Sequence, residues 1–304
     1  MLRALHILWK FSRPHTIIGS VISICTLYLL ALPATAYSQY SGLLISTLIV
    51  GVTCNIFIVG LNQIIDVELD KINKPQLPLA EGSLTLRKAN MIIYTCLVIA
   101  LTLAFYTSVV LGWLIVIICL IGIAYSVPPI QLKRHHLPAA LSITVVRGVL
   151  VNIGMFVHFS HATGQLDLAE WFASPVGGLP APLLVLTGFV IAFSVAIAWF
   201  KDLPDTEGDA KFEFKTLAIL YSPKLALWVG SGLVFMAYVA AIIWAFQSDN
   251  RYLLYCHLIA WILFMVNVLK VDMSVPSSVT RFYMIFWVFF FAEYLFFASW
   301  AMIY

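Results

Sequence analysis

Stretches of about 20 apolar residues recur along the whole 304-residue chain and are separated by short segments rich in proline, glycine or charge. A helix that crosses a lipid bilayer needs roughly 20 apolar residues. Hydrophobic residues make up 62% of the chain and charged residues 10%, whereas soluble domains carry about 25% charged residues. The sequence therefore predicts an all-α integral membrane protein whose helices span the bilayer at about residues 16–33, 42–65, 90–107, 111–127, 138–159, 182–201, 225–246, 252–269 and 282–303.

Nine such spans leave no room for a separate soluble domain, so we expect one domain over residues 1–304. Residues 1–15 are basic and partly amphipathic and lack the small-residue cleavage site of a secretory signal. They are typical of a helix that lies in the membrane interface. The five cysteines fall inside predicted spans without a CxxC pair, which predicts packing side chains and argues against a disulfide framework or a zinc site.

Positive charge predicts the orientation of the chain, because short cytoplasmic loops of membrane proteins are enriched in Lys and Arg. Fifteen of the 17 Lys and Arg residues lie before the first span or in loops that follow an even-numbered span. Of the other two, Arg251 lies in an opposite loop and Arg147 inside the fifth span. We expect the N-terminus and these basic loops to face the cytoplasm, or the stroma in a plastid, and the C-terminus to face outward.

The first of two acidic segments lies at the end of the second span. Asn62, Asp66 and Asp70 are spaced four residues apart, which on a helix places three oxygen-bearing side chains on one face. Like charges at this spacing repel each other, and ionisable groups near a membrane helix are expected to be functional. The pattern predicts a cation at this site.

The second acidic segment follows the sixth span, where Asp205 and Asp209 repeat the four-residue spacing. Pro204 and Gly208 should end the helix and bend the chain there. Oxygen ligands without His or Cys favour Mg²⁺, which binds one or two carboxylates and completes its shell with water and phosphate oxygens. We predict that two carboxylate pairs hold Mg²⁺ around one diphosphate.

Several cationic side chains lie near these carboxylates in sequence or by topology. A departing diphosphate requires positive charge nearby as its carbon–oxygen bond breaks. For Lys71, Lys133, Arg134 and Lys215 taken singly, anchoring at the membrane surface is an equally good interpretation. Arg147 differs because a charge within a span needs a partner, so we expect it to be functional.

At these residues the chain resembles the UbiA superfamily of intramembrane prenyltransferases, whose signatures are NxxxDxxxD and a later DxxxD. The segments at residues 11–19, 59–78, 125–134, 144–152 and 201–209 are similar to homogentisate prenyltransferases, and those in tocopherol synthesis above all. The resemblance covers nearly the whole chain, and every motif position is filled.

The resemblance implies a bundle of about nine helices around a central cavity that is capped by the two acidic loops. It further implies Mg²⁺-dependent transfer of a prenyl group, phytyl in the relatives concerned, from its diphosphate to homogentisate with loss of the carboxyl group. By position it places Asp66, Asp70, Asp205 and Asp209 as metal-binding catalytic residues, with Asp202 as an additional metal ligand or a part of the loop's polar network. The expected diphosphate-binding residues are Asn62, Lys74, Tyr125, Lys133, Arg147 and Lys201.

Some alternatives stay open at this stage. The acidic motifs alone do not set the aromatic acceptor, and the sequence does not show whether the donor is phytyl, geranylgeranyl or solanesyl diphosphate. Arg13 is a candidate for binding the acceptor carboxylate or for anchoring at the interface, and Glu68 is either a proton acceptor or a solvated loop residue. A cation transporter is the alternative outside enzymes. We expect a bacterial inner or thylakoid membrane as the location, and neither a nucleic-acid partner nor an obligate protein partner.

Overall fold

The computed structural model of the protein describes residues 2–304. Within this range nine helices are long and apolar enough to cross a membrane, as the sequence predicts. We refer to them as the first to ninth spans, which are Pro14–Ala31, Ser41–Ile65, Leu86–Thr107, Val109–Ser126, His136–Ala162, Ala181–Phe200, Pro223–Gln247, Arg251–Leu269 and Pro276–Ile303.

Most span boundaries lie within two or three residues of the predicted ones, but two helices begin earlier. The third begins at Leu86 and not at residue 90, because the side chain of Thr85 accepts a hydrogen bond from the backbone N–H of Lys88 and caps the helix. The ninth begins at Pro276 and not at residue 282, with proline in its first turn. Hydropathy underestimates the length of both helices because their first turns are polar.

The spans are arranged as a closed ring. Each span packs against the next one in the chain, the fifth also contacts the first, and the ninth returns to pack against the first. The buried apolar side chains form two clusters, one contributed mainly by the first to fifth spans and one by the sixth to ninth. An interior space lies between the two halves of the bundle.

The N-terminal segment forms the short helix Leu2–Phe11. It ends against the bundle, where the ring of Phe11 is fully buried and its carbonyl accepts a hydrogen bond of 2.6 Å from the side-chain amide of Gln63. This contact attaches the N-terminal helix to the end of the second span.

Loops that follow even-numbered spans meet at one end of the ring. They contain the short helices Val67–Asn73, Pro78–Glu81, Thr206–Lys211 and Leu217–Leu220. A β-bridge joins His135 to Lys215, and the guanidinium of Arg134 donates a 2.8 Å hydrogen bond to the carbonyl of Phe212. The loop after the fourth span and the loop after the sixth are thereby fastened together, and both acidic segments lie at this end.

Candidate functional site

The first acidic segment is not one continuous helix. The second span ends at Ile65, Asp66 has non-helical dihedral angles (φ −100°, ψ 15°), and a new helix begins at Val67. The Asp70 N–H still donates to the Asp66 carbonyl at 2.7 Å, so the two carboxylates remain about one turn apart. The expectation of a single helical face is therefore wrong at the break but correct in placing the two aspartates near each other.

Asp66 is buried and forms an ion pair with the buried ammonium of Lys133, which comes from the loop after the fourth span. Burial lowers the pKa of Lys133, and the Asp66 carboxylate opposes that effect. Neighbouring Asn62, at the end of the second span, donates a 3.4 Å hydrogen bond to the hydroxyl of Ser126. The second and fourth spans thus supply the first half of the site.

Asp70 is buried between carboxylates and cationic side chains of the site. The pKa of Asp70 is raised to about 6, chiefly by burial and also by the Asp66 and Asp205 carboxylates, while Arg13 and Lys74 oppose the shift. Its Oδ2 is buried without a hydrogen-bond donor among residues 2–304, and the nearest guanidinium nitrogen, Nη2 of Arg13, is 3.9 Å away. Arg13 itself is held at φ 50°, a region that non-glycine residues seldom occupy and that often marks a functional position.

The second acidic segment begins where the sixth span ends, at Phe200. The end of the helix before Pro204 is as predicted, but Gly208 does not break a helix, because it lies inside the short helix Thr206–Lys211. Asp202, Asp205 and Asp209 are all buried. Lys201 pairs with Asp202, and Lys74 reaches across from the first segment to pair with Asp205. The pKa of Asp209 is raised to about 7, chiefly by burial and also by the Asp202 and Asp205 carboxylates, while Lys201 and Lys74 oppose the shift.

In addition to the Lys74–Asp205 pair, Asn73 joins the two acidic segments. The side chain of Asn73 donates to Oδ1 of Asp209 at 3.1 Å and accepts from the backbone N–H of Gly208 at 2.9 Å. The short helices that carry these residues pack together. The two segments therefore form one unit.

The side chains at the loop end are a suitable donor set for Mg²⁺. Five buried carboxylates face four cationic side chains, those of Arg13, Lys74, Lys133 and Lys201. No group of three or more His, Cys, Asp or Glu side chains in the described range converges closely enough to hold a metal unaided. Magnesium needs only one or two carboxylates when phosphate oxygens and water complete its octahedron, and Oδ2 of Asp70, which accepts no hydrogen bond from the described residues, is a suitable ligand. The residues therefore fit Mg²⁺ that arrives together with a phosphate group.

Beneath the acidic loops, a cavity of about 260 Å³ extends into the bundle. Its charged lining residues are Arg13, Arg147 and Lys201, and no carboxylate lines it within the described part of the chain. Its lower part is lined by Ile24, Gly51 and other apolar groups. An anionic head at the loops and an apolar chain below would match this division.

The structure brings most of the predicted site residues together. Asn62, Tyr125, Arg147, Lys201 and Arg13 line the cavity, and Lys74 and Lys133 pair with the carboxylates at its loop end. Glu68 lies apart: its side chain is 70% exposed and pairs with exposed Lys71, which supports the solvated-loop interpretation.

Sequence reasoning did not assign roles to several residues of the site. Asn73 lies in the family-like segment 59–78 and Asn152 in the segment 144–152, but neither belongs to a recognised motif position. His15, Trp287 and Tyr294 line the cavity, and an aromatic residue inside a span gives no signal that distinguishes a cavity wall from ordinary packing.

Comparison with known protein families gives one match that covers most of the chain. The model of the UbiA prenyltransferase family matches residues 20–292. Homogentisate phytyltransferase of Synechocystis sp. is 37% identical over 295 residues, which are 94% of this chain and 92% of the relative. Chloroplastic homogentisate solanesyltransferase of Arabidopsis thaliana is 34% identical over 299 residues, covering 95% and 75% of the two chains.

Solved structures share the architecture. A UbiA homolog from Archaeoglobus fulgidus, solved bound to GPP and Mg²⁺, superposes with a TM-score of 0.62 over 96% of this chain and 99% of its own. Its sequence identity is 16%, so this likeness supports the fold.

Proposed function

The chain belongs to the UbiA prenyltransferase family, and from this premise we propose that it transfers a phytyl group from phytyl diphosphate to homogentisate, with loss of the acceptor's carboxyl group. The similarity to a homogentisate phytyltransferase along 94% of the chain supports the acceptor and the donor. A relative that is 34% identical is a homogentisate solanesyltransferase. Solanesyl diphosphate, which has a longer chain, is therefore the second candidate for the prenyl donor. The whole chain acts as one catalytic domain in this proposal.

One observation carries the proposal: buried carboxylates from the loops after the second and sixth spans, paired with lysines from these loops and from the loop after the fourth span, lie directly above a cavity with an apolar lower part. The upper group suits a metal-bound diphosphate, and the lower part suits a hydrocarbon chain. The cavity lies between membrane spans, which is an arrangement that a soluble enzyme would not need. A prenyl diphosphate is the class of substrate that combines these two parts in one molecule.

The aspartates at the loop end are the proposed metal ligands in this reaction. Asp66, Asp70, Asp205 and Asp209 would hold Mg²⁺, with Asp202 as a further ligand. When bound, Mg²⁺ would act as a Lewis acid that stabilises negative charge on the leaving diphosphate.

The lysines provide the remaining positive charge. Lys74, Lys133 and Lys201 each pair with a carboxylate in the structure, and we propose that they donate instead to diphosphate oxygens once substrate enters. Asn62 and Tyr125 line the adjoining wall of the cavity and orient the same group through hydrogen bonds. Together these donors stabilise charge as it develops in the transition state.

The chemistry balances without an external base. The allylic carbon–oxygen bond breaks and diphosphate leaves with its electron pair, while a ring carbon of the hydroquinone supplies the pair for the new carbon–carbon bond. The bond to the carboxylate then breaks and CO₂ leaves. The electron pair left behind takes up the proton that the attacked ring carbon gives up, so the side chain becomes a methyl group and no net proton is released.

The transporter alternative is less well supported by the geometry. Carboxylates that carry cations across a membrane lie near the midplane and line the path. In this protein the buried aspartates lie at the loop end of the bundle. In the described part of the chain, residues 2–304, every charged residue that lines the cavity is positive. Such a wall repels cations.

We further propose that the protein resides in a bacterial inner or thylakoid membrane with its acidic loops on the cytoplasmic or stromal side. This orientation is supported by the Lys and Arg residues of the loops that the predicted topology places on that side of the membrane. Single cysteines placed at Glu207 and at Asp249, in a variant whose own cysteines are replaced, should react with a membrane-impermeant thiol reagent from opposite sides.

The experiment that tests the function is turnover of radiolabelled homogentisate in proteoliposomes with Mg²⁺ and a panel of phytyl, geranylgeranyl, solanesyl and farnesyl diphosphates. A lipid-soluble labelled product that requires Mg²⁺, with phytyl diphosphate the best donor, is the expected result. Preference for solanesyl diphosphate would overturn the donor assignment. No product with any donor, combined with Mg²⁺ or Na⁺ flux in sealed vesicles, would favour the transporter.

A further inference from the structure

Arg147 carries a positive charge that the diphosphate chemistry described above does not use. It lies within the fifth span and lines the cavity. Among residues 2–304 its guanidinium takes part in no hydrogen bond and no ion pair, and its one charge-related contact is with the ring of Trp287, whose centroid is 5.0 Å from Cζ. A cation at this depth is costly unless an anion accompanies it, so the geometry calls for an anionic ligand.

The surroundings of this cation are aromatic. Trp287, from the ninth span, contacts Arg147 and also His15 of the first span, whose ring centroid lies 4.9 Å from that of the indole. Tyr283 and Tyr294, on the same side of the ninth span, also line the cavity. An aromatic ring that carries a negative substituent would find both a flat apolar wall and a counter-charge here.

The backbone around Arg147 is held in an unusual conformation. Residues Val145–Gly154 form a π-helix, a feature that often marks functional sites in helices. The side-chain amide of Asn152 donates to the carbonyls of Arg147 and Gly148 at 3.3 and 3.0 Å, and its Oδ1 accepts a 2.8 Å hydrogen bond from the hydroxyl of Tyr294. The ninth span thereby fixes both the wall and the position of the arginine.

The diphosphate is not the best partner for this arginine. Arg147 lies 11 residues beyond the start of the fifth span at His136, which is roughly 16 Å along a helix axis. The carboxylates that would hold Mg²⁺ all lie in the loops, and none lines the cavity in the described range. Arg147 therefore has no carboxylate beside it in this range that could share a metal ion with a bound anion, and a planar guanidinium matches a carboxylate in a two-pronged contact.

We propose that Arg147, stacked on Trp287, binds the carboxylate of the aromatic acceptor and makes the enzyme selective for carboxylated rings. This inference rests on the proposed function and moves Arg147 from the diphosphate group, where the resemblance places it, to the acceptor. Arg13, the earlier candidate for this role, instead lies beside Asp70. Arg147 is then a specificity-determining residue that touches substrate.

The test measures binding and turnover separately. Equilibrium binding of radiolabelled homogentisate to detergent-solubilised protein, without donor or Mg²⁺, is compared for the wild type, Arg147→Gln and Arg147→Lys. We expect Arg147→Gln to weaken binding by about 10- to 100-fold, as the loss of a charge-assisted pair does, and Arg147→Lys to weaken it less. Methylhydroquinone, which lacks the carboxylate, should bind equally to all three proteins. Arg251→Gln, an exposed arginine at the opposite end, is the matched control and should not change binding.

Steady-state kinetics in proteoliposomes provide the second measurement. Arg147→Gln should raise KM for homogentisate by a similar factor and leave KM for phytyl diphosphate within about twofold. A rise confined to the KM of the donor would overturn the inference in favour of the diphosphate, and unchanged homogentisate binding would overturn it outright. If the wild type does not prenylate homogentisate but binds another carboxylated ring through Arg147, the proposed function fails and this inference stands.

Discussion

The side chain of Asn73 accepts a hydrogen bond from the backbone N–H of Gly208 at 2.9 Å, across 135 residues of sequence. The same side chain donates to the carboxylate of Asp209 at 3.1 Å. Because Asp70 and Asp209 lie on the two short helices that this contact joins, Asn73 sets the spacing between the two carboxylate pairs. If Mg²⁺ and diphosphate bind between those pairs, catalysis should depend on a residue that is not itself a metal ligand.

Gly208→Ala tests this coupling. A Cβ at residue 208 would lie 2.2 Å from Oδ1 of Asn73, so the asparagine would have to turn away and give up both hydrogen bonds. We expect kcat for prenyl transfer to fall at least about tenfold, since misplacement by about 1 Å can cost far more than this, with little change in thermal stability. The control is Gly232→Ala, whose added Cβ meets no atom within 4 Å. Unchanged kinetics in Gly208→Ala would show that the two segments do not need this contact.

Asp66→Asn and Asp205→Asn test the metal assignment. Each change keeps the size of a buried side chain and removes one carboxylate that pairs with a lysine in the structure. We expect turnover to drop by about 100-fold or more in each variant, as removal of one group that stabilises transition-state charge does, while both proteins remain folded in the membrane. Glu207→Gln is the matched control, since Glu207 belongs to the same acidic segment but is exposed. Full activity in both asparagine variants would refute the role of these residues.

The nine spans and the location of the acidic end could be read from the sequence because both depend on one-dimensional signals. A run of apolar residues long enough to cross a bilayer is visible without neighbours, and carboxylates at four-residue spacing stand out in a chain with 14 acidic residues. Asp66, Asp70, Asp205 and Asp209 were found in this way. Their lysine partners were found only as a group, because pairing depends on which loops meet.

What the sequence could not predict depends on contacts between distant segments. The break in the helix at Asp66 places that carboxylate against Lys133, 67 residues away. Asn73 looks like an ordinary polar residue before a lysine and a proline, and its role appears only when Gly208 is packed against it. Trp287 is one of many aromatic residues in the spans, and only the fold shows that it lies under Arg147.

Gly51→Val tests how the lower end of the cavity limits the donor. Gly51 lines the cavity, and a Cβ there would lie 2.4 Å from Cδ1 of Ile24, another lining residue. The position is 15 residues from Asp66, roughly 22 Å along a helix, so added bulk should shorten the space for the chain. We expect the ratio of kcat/KM for farnesyl to phytyl diphosphate to rise about tenfold or more, because overpacking of this kind costs about 1–3 kcal/mol. Gly188→Val, in open space, should leave the ratio unchanged, and an unchanged ratio in Gly51→Val would place the end of the chain elsewhere.

His257 and Glu293 form a polar pair between the eighth and ninth spans that the reaction does not use. Both side chains are fully buried, Nε2 lies 3.1 Å from Oε2, and neither lines the cavity. His257→Leu should leave a carboxyl group in the bundle without its partner and destabilise the protein. Breaking a buried ion pair in soluble proteins costs about 3–5 kcal/mol, but polar contacts between membrane helices average nearer 0.6 kcal/mol because the reference state finds other partners. We therefore expect a loss of about 1–3 kcal/mol, seen as a lower Tm in detergent.

The double variant His257→Leu/Glu293→Leu separates the polar term from packing. With both groups replaced by apolar side chains, the carboxyl group that His257→Leu leaves without its partner is gone, and stability should return toward that of the wild type. The return should be incomplete, because the buried hydroxyl of Tyr238, which neighbours Glu293, then loses this polar neighbour. The KM for phytyl diphosphate and for homogentisate should match the wild type in the double variant, since the pair lies outside the cavity. A double variant as unstable as His257→Leu alone would mean that the shapes of the two side chains, and not their mutual contact, hold the eighth and ninth spans together. A single variant as stable as the wild type would mean that Glu293 finds another partner when His257 is removed.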